Sequence, residues 1–434
     1  MRSTTSIPAT LLLALTLLPP PSAGAAAATC QGMPTTPTQV DDSGRITGTE
    51  GNDVIVSAGA ERVRALGGDD VVCVTGFAPE PFIDAGPGND VVDATTVPHG
   101  AWTVLGPGAD EYDGSTALDV VHAGASLPEI ADVETDDIDT GDSGADIVVS
   151  GQPGLPNADR IMMGHGRLDW YGIGTQAGLV DGGAGSELRL DASESQSLVL
   201  DNIVDTAVVD GQLILAFTGF SRFHVTAHRG PRSFVFRGSD YADELSMDIY
   251  RAPRGATQDV TLGRGNDRLV LRAWRPSAAT TYDAGAGRHD AIELVLTDQR
   301  EADLDLRRGR LSTRVRSHEV TIAVPGFEQA KVMAEHVKVT GTDRANTILV
   351  HACRARVDAR GGVDQVRWVG RFKREELMCL GRRAHFLGGN GRDFIWGSPG
   401  PDRLIGGSDE DLARGRRGHD VCEAEKTNKC EVRL

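Results

Sequence analysis

A nine-residue repeat constrains the fold of this chain more than any other sequence feature. Residues 388–423 divide into four units, GGNGRDFIW, GSPGPDRLI, GGSDEDLAR and GRRGHDVCE. Each unit begins with glycine, and each has aspartate at position six and a small or apolar residue at position eight: Asp393, Asp402, Asp411 and Asp420, then Ile395, Leu404, Ala413 and Cys422. Glycine allows the positive φ angles of tight turns, and one inward side chain is typical of a short strand. The repeat therefore predicts one turn and one strand in every nine residues.

Two such units would form one coil, so equivalent residues recur every 18 positions. Asp393 should then lie above Asp411, and Asp402 above Asp420, separated by the strand spacing of about 4.8 Å. Carboxylates this close repel each other unless a cation lies between them, and calcium accepts both carboxylate and carbonyl oxygens. Aspartate and glycine are also ordinary turn formers, but four units in strict register favour a calcium-binding roll.

Degenerate copies of the unit continue along the chain at intervals near 18 residues. Position six is assigned to the following residues: Asp53, Asp70, Asp90, Asp110, Asp146, Asp159, Asp169, Glu187, Asp267, Asp290, Asn346 and Asp364. Residues 190–235 and 296–340 keep the apolar and β-branched character of strands but lack aspartate turns, which predicts coils without calcium. No segment after the N-terminal one shows a sustained helical period; Lys373–Leu380 is the best short helix candidate.

These patterns predict an all-β fold, a right-handed parallel β-roll or β-helix solenoid of degenerate nonapeptide repeats with about 18 residues per coil. Five segments are expected. They are a signal peptide (1–28), acidic calcium-binding-type repeats (29–189), a degenerate solenoid (190–352), a disulfide-bearing excursion and coil (353–387), and a regular C-terminal calcium-binding roll and cap (388–434).

The N-terminal segment and the cysteines both predict export. Arg2, an apolar run from Leu11 to Leu18 and small residues at 23–28 have the order of a signal peptide. No later stretch approaches the length of a membrane span. Six cysteines follow that segment, and an even number in an exported chain predicts three disulfides. The sequence leaves their pairing open; nearest neighbours would give Cys30–Cys73, Cys353–Cys379 and Cys422–Cys430.

Charge is distributed unevenly along the chain. Residues 29–210 contain 32 acidic and 6 basic residues, whereas residues 211–434 contain 30 acidic and 37 basic residues. The acidic half would repel itself unless cations bind, which agrees with calcium, although acidic surfaces also favour solubility. The arginines of the second half are spread along strand-like runs. We therefore interpret them as a solvated face and expect no nucleic-acid partner.

The two ends of the chain resemble a known family. The stretches CQGMP from Cys30, GTEGNDVIV, ALGGDDVVC and GRRGHDVC are similar to secreted actinobacterial hemolysin-type (RTX) calcium-binding repeat proteins. The resemblance implies calcium held by position-six aspartates and by main-chain carbonyls of the turns. The implied ligand residues are Asp53, Asp70, Asp90, Asp110, Gly389, Gly391, Asp393, Gly400, Asp402, Asp409, Asp411, Gly418 and Asp420. Asp70 lies in a shortened unit, and Asp409 departs from the pattern.

Catalytic motifs receive less support. GDSG at 141–144 resembles the nucleophile loop of trypsin-like proteases, but His99 and His122 lack the matching motif settings. His224 and His228 lie on a predicted strand, which would hold them about 13 Å apart and disfavours a zinc site.

The acids of residues 132–142 could serve a β-helix polysaccharide lyase or hydrolase with structural calcium. That enzyme is the alternative to our prediction, a secreted calcium-binding repeat protein with a structural, adhesive or interaction role toward an extracellular polysaccharide or cell surface.

Overall fold

The computed structural model describes residues 28–433 except for 125–129, 142–144, 172–177, 194, 250–252, 254, 273–275, 278, 297–300, 316–317, 371–376 and 378. Three expectations therefore fall wholly or mostly outside the described residues: the signal peptide, the GDSG loop and the helix candidate near Lys373. Within the described part the chain forms 41 strands and no helix.

The strands are short at both ends of the chain and longer in its middle. The first fourteen are β1 (Thr29–Cys30), β2 (Met33–Pro34), β3 (Gln39–Val40), β4 (Ile46–Thr47), β5 (Val54–Val56), β6 (Arg62–Arg64), β7 (Val71–Cys73), β8 (Phe82–Asp84), β9 (Val91–Asp93), β10 (Trp102–Val104), β11 (Glu111–Asp113), β12 (Val120–His122), β13 (Asp137–Asp139) and β14 (Asp146–Ser150). The next fourteen are β15 (Arg160–Met162), β16 (Gly166–Trp170), β17 (Gly178–Asp191), β18 (Ser197–Asp201), β19 (Thr206–Val209), β20 (Gln212–Ala227), β21 (Ser233–Arg237), β22 (Glu244–Ile249), β23 (Thr257–Thr261), β24 (Arg268–Arg272), β25 (Thr280–Asp283), β26 (Ala291–Val295), β27 (Glu301–Asp305) and β28 (Arg310–Val315). The last thirteen are β29 (His318–Ala323), β30 (Gln329–Met333), β31 (His336–Thr340), β32 (Thr347–His351), β33 (Arg354–Gly361), β34 (Gln365–Trp368), β35 (Arg383–Asn390), β36 (Phe394–Trp396), β37 (Arg403–Ser408), β38 (Leu412–Arg414), β39 (Val421–Glu423), β40 (Lys426–Asn428) and β41 (Val432–Arg433).

Strands pair in parallel with the strand two places further along the chain, so successive coils stack on one another. The stack that begins β5, β7, β9 is called sheet A, and the stack that begins β4, β6, β8 is called sheet B. Sheet A ends with β37, β39 and β41, and sheet B ends with β36, β38 and β40. This arrangement confirms the predicted all-β roll, with two strands in each coil.

Sheet A contains two antiparallel insertions of the same design. In the first, β17 pairs in parallel with β20, β20 and β18 both pair antiparallel with β19, and β18 continues in parallel to β21. The second uses β25, β29, β28, β27 and β31 in the same way. Each insertion doubles the chain back without interrupting the stack. The segments that lack aspartate turns in the sequence contain these insertions.

One hydrophobic cluster runs through the roll from Ile46 to Cys422. The position-eight side chains of the C-terminal units are fully buried, as predicted. Each such strand contributes little apolar area, so Cys30–Cys73 and Cys422–Cys430 add cross-links where the strands are shortest. The three nearest-neighbour disulfides all form, which confirms that pairing. Among the described residues, none forms a helix long and apolar enough to cross a membrane.

The assignment of Asp169 and Glu187 to turns is wrong, because both lie inside strands. Asp169 is in β16, where it forms ion pairs with Arg167 at 3.2 Å and Arg189 at 3.6 Å. Glu187 is in β17 and pairs with Arg189 at 2.7 Å. The two residues do not stack on each other, because the register of β16 and β17 places Asp169 opposite Arg189 and Glu187 opposite Arg167. These carboxylates therefore pair with arginines of their own strand, and Asp169 also pairs with Arg189 of the neighbouring strand.

Candidate metal centre

Position-six carboxylates form hydrogen-bonded ladders that run from coil to coil. The backbone N–H of Asp53 donates to Oδ1 of Asp70 at 2.7 Å, Asp70 donates to Asp90 at 2.8 Å, and Asp90 donates to Asp110 at 2.7 Å. The ladder continues to Asp136 and Asp159. One carboxylate oxygen in each coil is thus used to hold the preceding coil in register.

The C-terminal roll has two such ladders, which confirms the predicted stacking. Asp393 donates its N–H to Asp411 at 2.8 Å, and Asp402 donates its N–H to Asp420 at 2.9 Å. Glutamates occupy the equivalent place beyond these pairs: Glu425 accepts from Asp411 at 2.8 Å, and Glu431 accepts from Asp420 at 2.6 Å. All four aspartates are buried.

The second oxygen of each carboxylate divides the turns into two kinds. In what we call closed turns, serine or threonine stands at position two, and its backbone N–H donates to the position-six side chain at 2.6–2.7 Å. Both polar atoms of the position-six side chain then have partners. The closed turns join Thr49 to Asp53, Ser115 to Asp119, Ser239 to Asp243, Thr342 to Asn346 and Ser398 to Asp402.

In what we call open turns, the residues at positions two and four both have positive φ. No described group donates to Oδ2 of the aspartate at position six, although this oxygen is buried. The eight open turns end at Asp70, Asp90, Asp110, Asp267, Asp364, Asp393, Asp411 and Asp420. No closed turn has a buried position-six atom without a partner within the described residues.

Close stacking explains the glycines at position two of the open turns that end at Asp393 and Asp411. A Cβ on Gly389 would lie 2.0 Å from the carbonyl oxygen of Arg360 in the preceding coil. A Cβ on Gly407 would lie 2.0 Å from the carbonyl oxygen of Gly389. Both glycines also have φ near 120°, where other residues are strained. The stack therefore brings main-chain carbonyls of successive open turns close together.

Burial disfavours the ionised form of these carboxylates when no cation is bound beside them. It raises the pKa of Asp70 and Asp90 to about 7 and that of Asp110 to about 8, and the neighbouring carboxylates of the ladder add to the rise. In the C-terminal roll, burial raises the pKa of Asp393 to about 6, with Asp411 and Asp409 contributing. A cation beside these oxygens would oppose both effects.

The donor set fits a hard cation such as calcium. Within the described part of the chain, no group of three or more His, Cys, Asp or Glu side chains is arranged to hold a metal ion. A metal shell would therefore combine the unpartnered Oδ2 atoms with main-chain carbonyls of the turns. Calcium accepts this mixture of oxygen ligands, whereas zinc prefers nitrogen and sulfur.

The sequence-predicted ligands fall into different environments. Asp70, Asp90, Asp110, Asp393, Asp411 and Asp420 are in open turns, as are Gly389, Gly391 and Gly418. Asp53 and Asp402 are in closed turns, and Gly400 donates its N–H to the Ser398 hydroxyl at 3.1 Å. Asp409 is exposed at position four with φ of 87°, and it accepts the N–H of Gly391 at 3.1 Å.

Sequence reasoning did not include Asp267 and Asp364 among the ligands, although LGRGND and ARGGVD have glycine at position four. It also missed the ladder aspartates Asp119, Asp136 and Asp243, whose units lack that glycine. Asp136 bears on the enzyme alternative, since it is buried and accepts the N–H of Asp110 at 3.0 Å. This acid of the 132–142 cluster therefore serves the ladder.

Comparison with known proteins agrees with this geometry. A family model for the RTX calcium-binding nonapeptide repeat, in four copies, matches residues 40–72 and 387–422. These ranges include the open turns at Asp70, Asp393, Asp411 and Asp420 and the closed turns at Asp53 and Asp402. Comparison with curated proteins finds no match. The chain therefore carries hemolysin-type RTX calcium-binding repeats in the first coils of its solenoid and in its C-terminal roll.

Proposed function

We propose that this protein is an extracellular structural or adhesive repeat protein whose open turns bind calcium. One observation supports the proposal most directly: ten buried carboxylate oxygens have no hydrogen-bond partner among the described residues, and eight of them are the Oδ2 atoms of open turns, one in each. Burying an unpaired charge is costly. A cation bound at the turns would offset that cost, so folding and ion binding would be coupled.

The proposed ligands are the open-turn aspartates Asp70, Asp90, Asp110, Asp267, Asp364, Asp393, Asp411 and Asp420, together with turn carbonyls. Calcium would supply positive charge between stacked coils, where the carboxylates otherwise repel. The closed turns have a different role in this proposal, since their side chains already hold the turn together. Asn346 occupies a closed turn and accepts the Thr342 N–H at 2.7 Å. A neutral amide is thus sufficient there.

An extracellular location is supported by two features of the chain. The three disulfides are typical of proteins that fold in oxidising compartments, and residues 1–28 have the composition of a signal peptide. Extracellular modules bind calcium with dissociation constants of roughly 10⁻⁴–10⁻³ M. Calcium outside cells is of similar concentration, so the roll would order after export.

Calcium titration of matched variants tests the assignment. Asp90→Asn removes charge from an open turn, whereas Asp53→Asn removes the same charge from a closed turn in the same ladder. In the wild type, the Thr36 hydroxyl donates to Oδ1 of Asp53 at 2.7 Å. In Asp53→Asn, this hydroxyl can rotate and accept a hydrogen bond from the side-chain NH₂ group of the new asparagine. Isothermal titration should show fewer calcium sites in Asp90→Asn and an unchanged number in Asp53→Asn.

Two results would contradict the proposal. The first is that wild-type protein binds no calcium at millimolar concentration, which would show that the open turns are not calcium sites. The second is an equal loss of sites in both variants, which would mean that the distinction between open and closed turns does not govern binding. Magnesium should not replace calcium, because it requires nearly octahedral geometry and retains its water.

A further inference from the structure

Outward-facing charges alternate in sign along the middle of sheet B. The parallel register places Arg167, Glu187, Arg222, Glu244 and Arg268 one above another on five successive strands. Arg268 pairs with Glu244 at 3.6 Å and also with Glu293. Opposite charges on neighbouring strands stabilise a sheet. In this region the exposed charges therefore support the stack itself.

Sheet A shows a different pattern after its second insertion. Lys338, Arg356, His385 and Arg403 lie one above another on β31, β33, β35 and β37. A second column beside them contains Arg354 and Arg383. We call Lys338, Arg354, Arg356, Arg383 and Arg403 the arginine face, and all five are exposed. Here, like charges lie opposite one another.

The described fold compensates only part of this repulsion. Lys338 pairs with Asp303 at 2.7 Å, but the four arginines form no ion pair with any described residue. Partial burial and the charges of Arg356 and Arg403 lower the pKa of His385, which lies between them. Like charges directly opposite in a sheet are destabilising. The face therefore costs stability that an anionic ligand would recover.

A cleft of about 390 Å³ lies at one edge of the arginine face. Arg354 and Arg356 line it on one side. The carboxylates Glu301, Asp303 and Glu319 line the other, where Glu301 pairs with Arg314 and Asp303 with Lys338. The cleft contains no Phe, Tyr or Trp side chain among its described lining residues. The surface thus offers a row of cations that continues into a group of hydrogen-bond acceptors.

We propose that the arginine face binds a linear polysaccharide that carries carboxylates along its chain. Guanidinium groups bind carboxylates through two parallel hydrogen bonds, and sugar hydroxyls can donate to the carboxylates of the cleft. The strand spacing of about 4.8 Å is comparable to the length of one 1,4-linked sugar ring, so successive rings would meet successive coils. This inference names a partner class for the extracellular role proposed above and rests on that role.

The same features argue against a nucleic acid on this face. At the end of the cation row, Glu301, Asp303 and Glu319 favour a ligand with hydroxyl donors, which a phosphodiester backbone lacks. Single-stranded nucleic acids are held largely by stacking of bases on aromatic rings, and the cleft lining supplies no such ring. A glycan needs no stacking at this end, because its hydroxyls can donate to carboxylates.

Binding of a fluorescent oligogalacturonate too short to gel with calcium tests the proposal. Calcium-loaded protein is titrated at constant free calcium, and fluorescence anisotropy gives the dissociation constant. We expect Arg356→Gln to weaken binding about tenfold, as for loss of one charge-assisted contact, and Arg356→Gln with Arg403→Gln to weaken it further. The matched control is Arg414→Gln, an exposed arginine of β38 in sheet B. It should change the constant less than about twofold.

Calcium titration of the same variants separates this inference from the proposed function. Both arginine variants should keep the wild-type number of calcium sites, since neither residue lies in a turn. The inference is overturned if Arg414→Gln weakens binding as much as Arg356→Gln, or if a neutral malto-oligosaccharide of equal length binds equally well. Tighter binding of a single-stranded oligonucleotide would also overturn it. Loss of calcium binding in the wild type would instead overturn the proposed function.

Discussion

Asp53 and Asp70 are neighbours in one ladder, yet their turns differ. The Thr49 N–H and hydroxyl hold the Asp53 carboxylate at 2.6 and 3.0 Å. The equivalent residue before Asp70 is Leu66, which has φ of 82° and donates no hydrogen bond to that carboxylate. Oδ1 of Asp70 still accepts the Asp53 N–H. Position-six aspartate therefore has two separable roles: it builds the stack in both kinds of turn, and it presents an unpartnered oxygen only in open turns.

Position six of the repeat marks a coil, and position two determines whether its carboxylate has an unpartnered oxygen. In the C-terminal units, both kinds of turn have glycine at position one and aspartate at position six. This pattern therefore predicts a coil of the roll but not the kind of turn. Whether that coil is ready for a cation depends on position two. Serine or threonine there closes the turn, whereas a residue with positive φ leaves Oδ2 without a partner.

Hydrogen exchange with and without calcium should give the largest difference between regions. The C-terminal roll contains three open turns and buries little apolar area, so its folding should depend on calcium. Binding at a hundredfold excess over Kd stabilises by about 2.7 kcal/mol per site. Amides of β36 and β38 should be protected only with calcium, whereas β20, in a region without position-six turns, should be protected with chelator as well.

Asp393→Asn combined with Asp411→Asn sharpens this test, since it removes two open-turn charges and preserves the ladder oxygens. Calcium should then fail to protect β36, while β20 stays protected. Equal protection of β36 in wild type with chelator and with calcium would contradict the coupling. The aspartates would in that case act only as turn residues.

The acid dependence of stability is the next largest effect. The pKa values of Asp70, Asp90 and Asp110 are raised from 3.8 to about 7, 7 and 8, so the folded state retains protons that the unfolded state has lost. Their contribution to stability is full below pH 3.8 and is lost as pH rises toward 8. With chelator, the melting temperature should fall by several degrees between pH 5 and 8, and calcium should reduce that fall. An equal fall with saturating calcium would contradict the assignment.

The ladders could be predicted from sequence because their geometry repeats locally. Spacing near 18 residues was sufficient for the stack of Asp393 on Asp411 and for the buried position-eight residues. The disulfide pairing was left open by the sequence, and the structure has the nearest-neighbour arrangement. Local spacing fails where chain is inserted. Arg356, His385 and Arg403 lie in one column although 29 residues separate the first two and 18 the last two. Only the register shows that these cations form one face.

The nonapeptide motif also does not predict which turns are open and which are closed. Leu66, Arg360 and Arg416 occupy position two of open turns with positive φ, although none is glycine. Side-chain type alone therefore does not identify an open turn. What distinguishes an open turn from a closed one in the sequence is the absence of serine or threonine at position two. That signal would have separated Asp402 from Asp420 and Asp53 from Asp70.

His224 should give a smaller pH effect that calcium does not remove. Hydrogen bonds to Asp248 and Glu187 raise its pKa, so its contribution to stability is present below pH 6.5 and is lost as pH rises through the raised value. His224→Gln should destabilise by about 1 kcal/mol at pH 6 and by less at pH 9. Urea unfolding in saturating calcium measures the difference. Equal losses at both pH values would show that protonation is not involved.

Substitution by glycine at position two should have opposite signs in the two kinds of turn. Ser398 and Arg416 occupy this position in adjacent coils of one ladder. The Ser398 hydroxyl donates to Asp402 at 2.7 Å, so Ser398→Gly should destabilise by about 1 kcal/mol. Arg416 has φ of 96°, a region that costs non-glycine residues about 1–2 kcal/mol. Because glycine loses more backbone entropy on folding, Arg416→Gly should stabilise by only about 0.5 kcal/mol. Urea midpoints in saturating calcium compare the two, and a shift of the same sign in both would mean that position two does not distinguish open from closed turns.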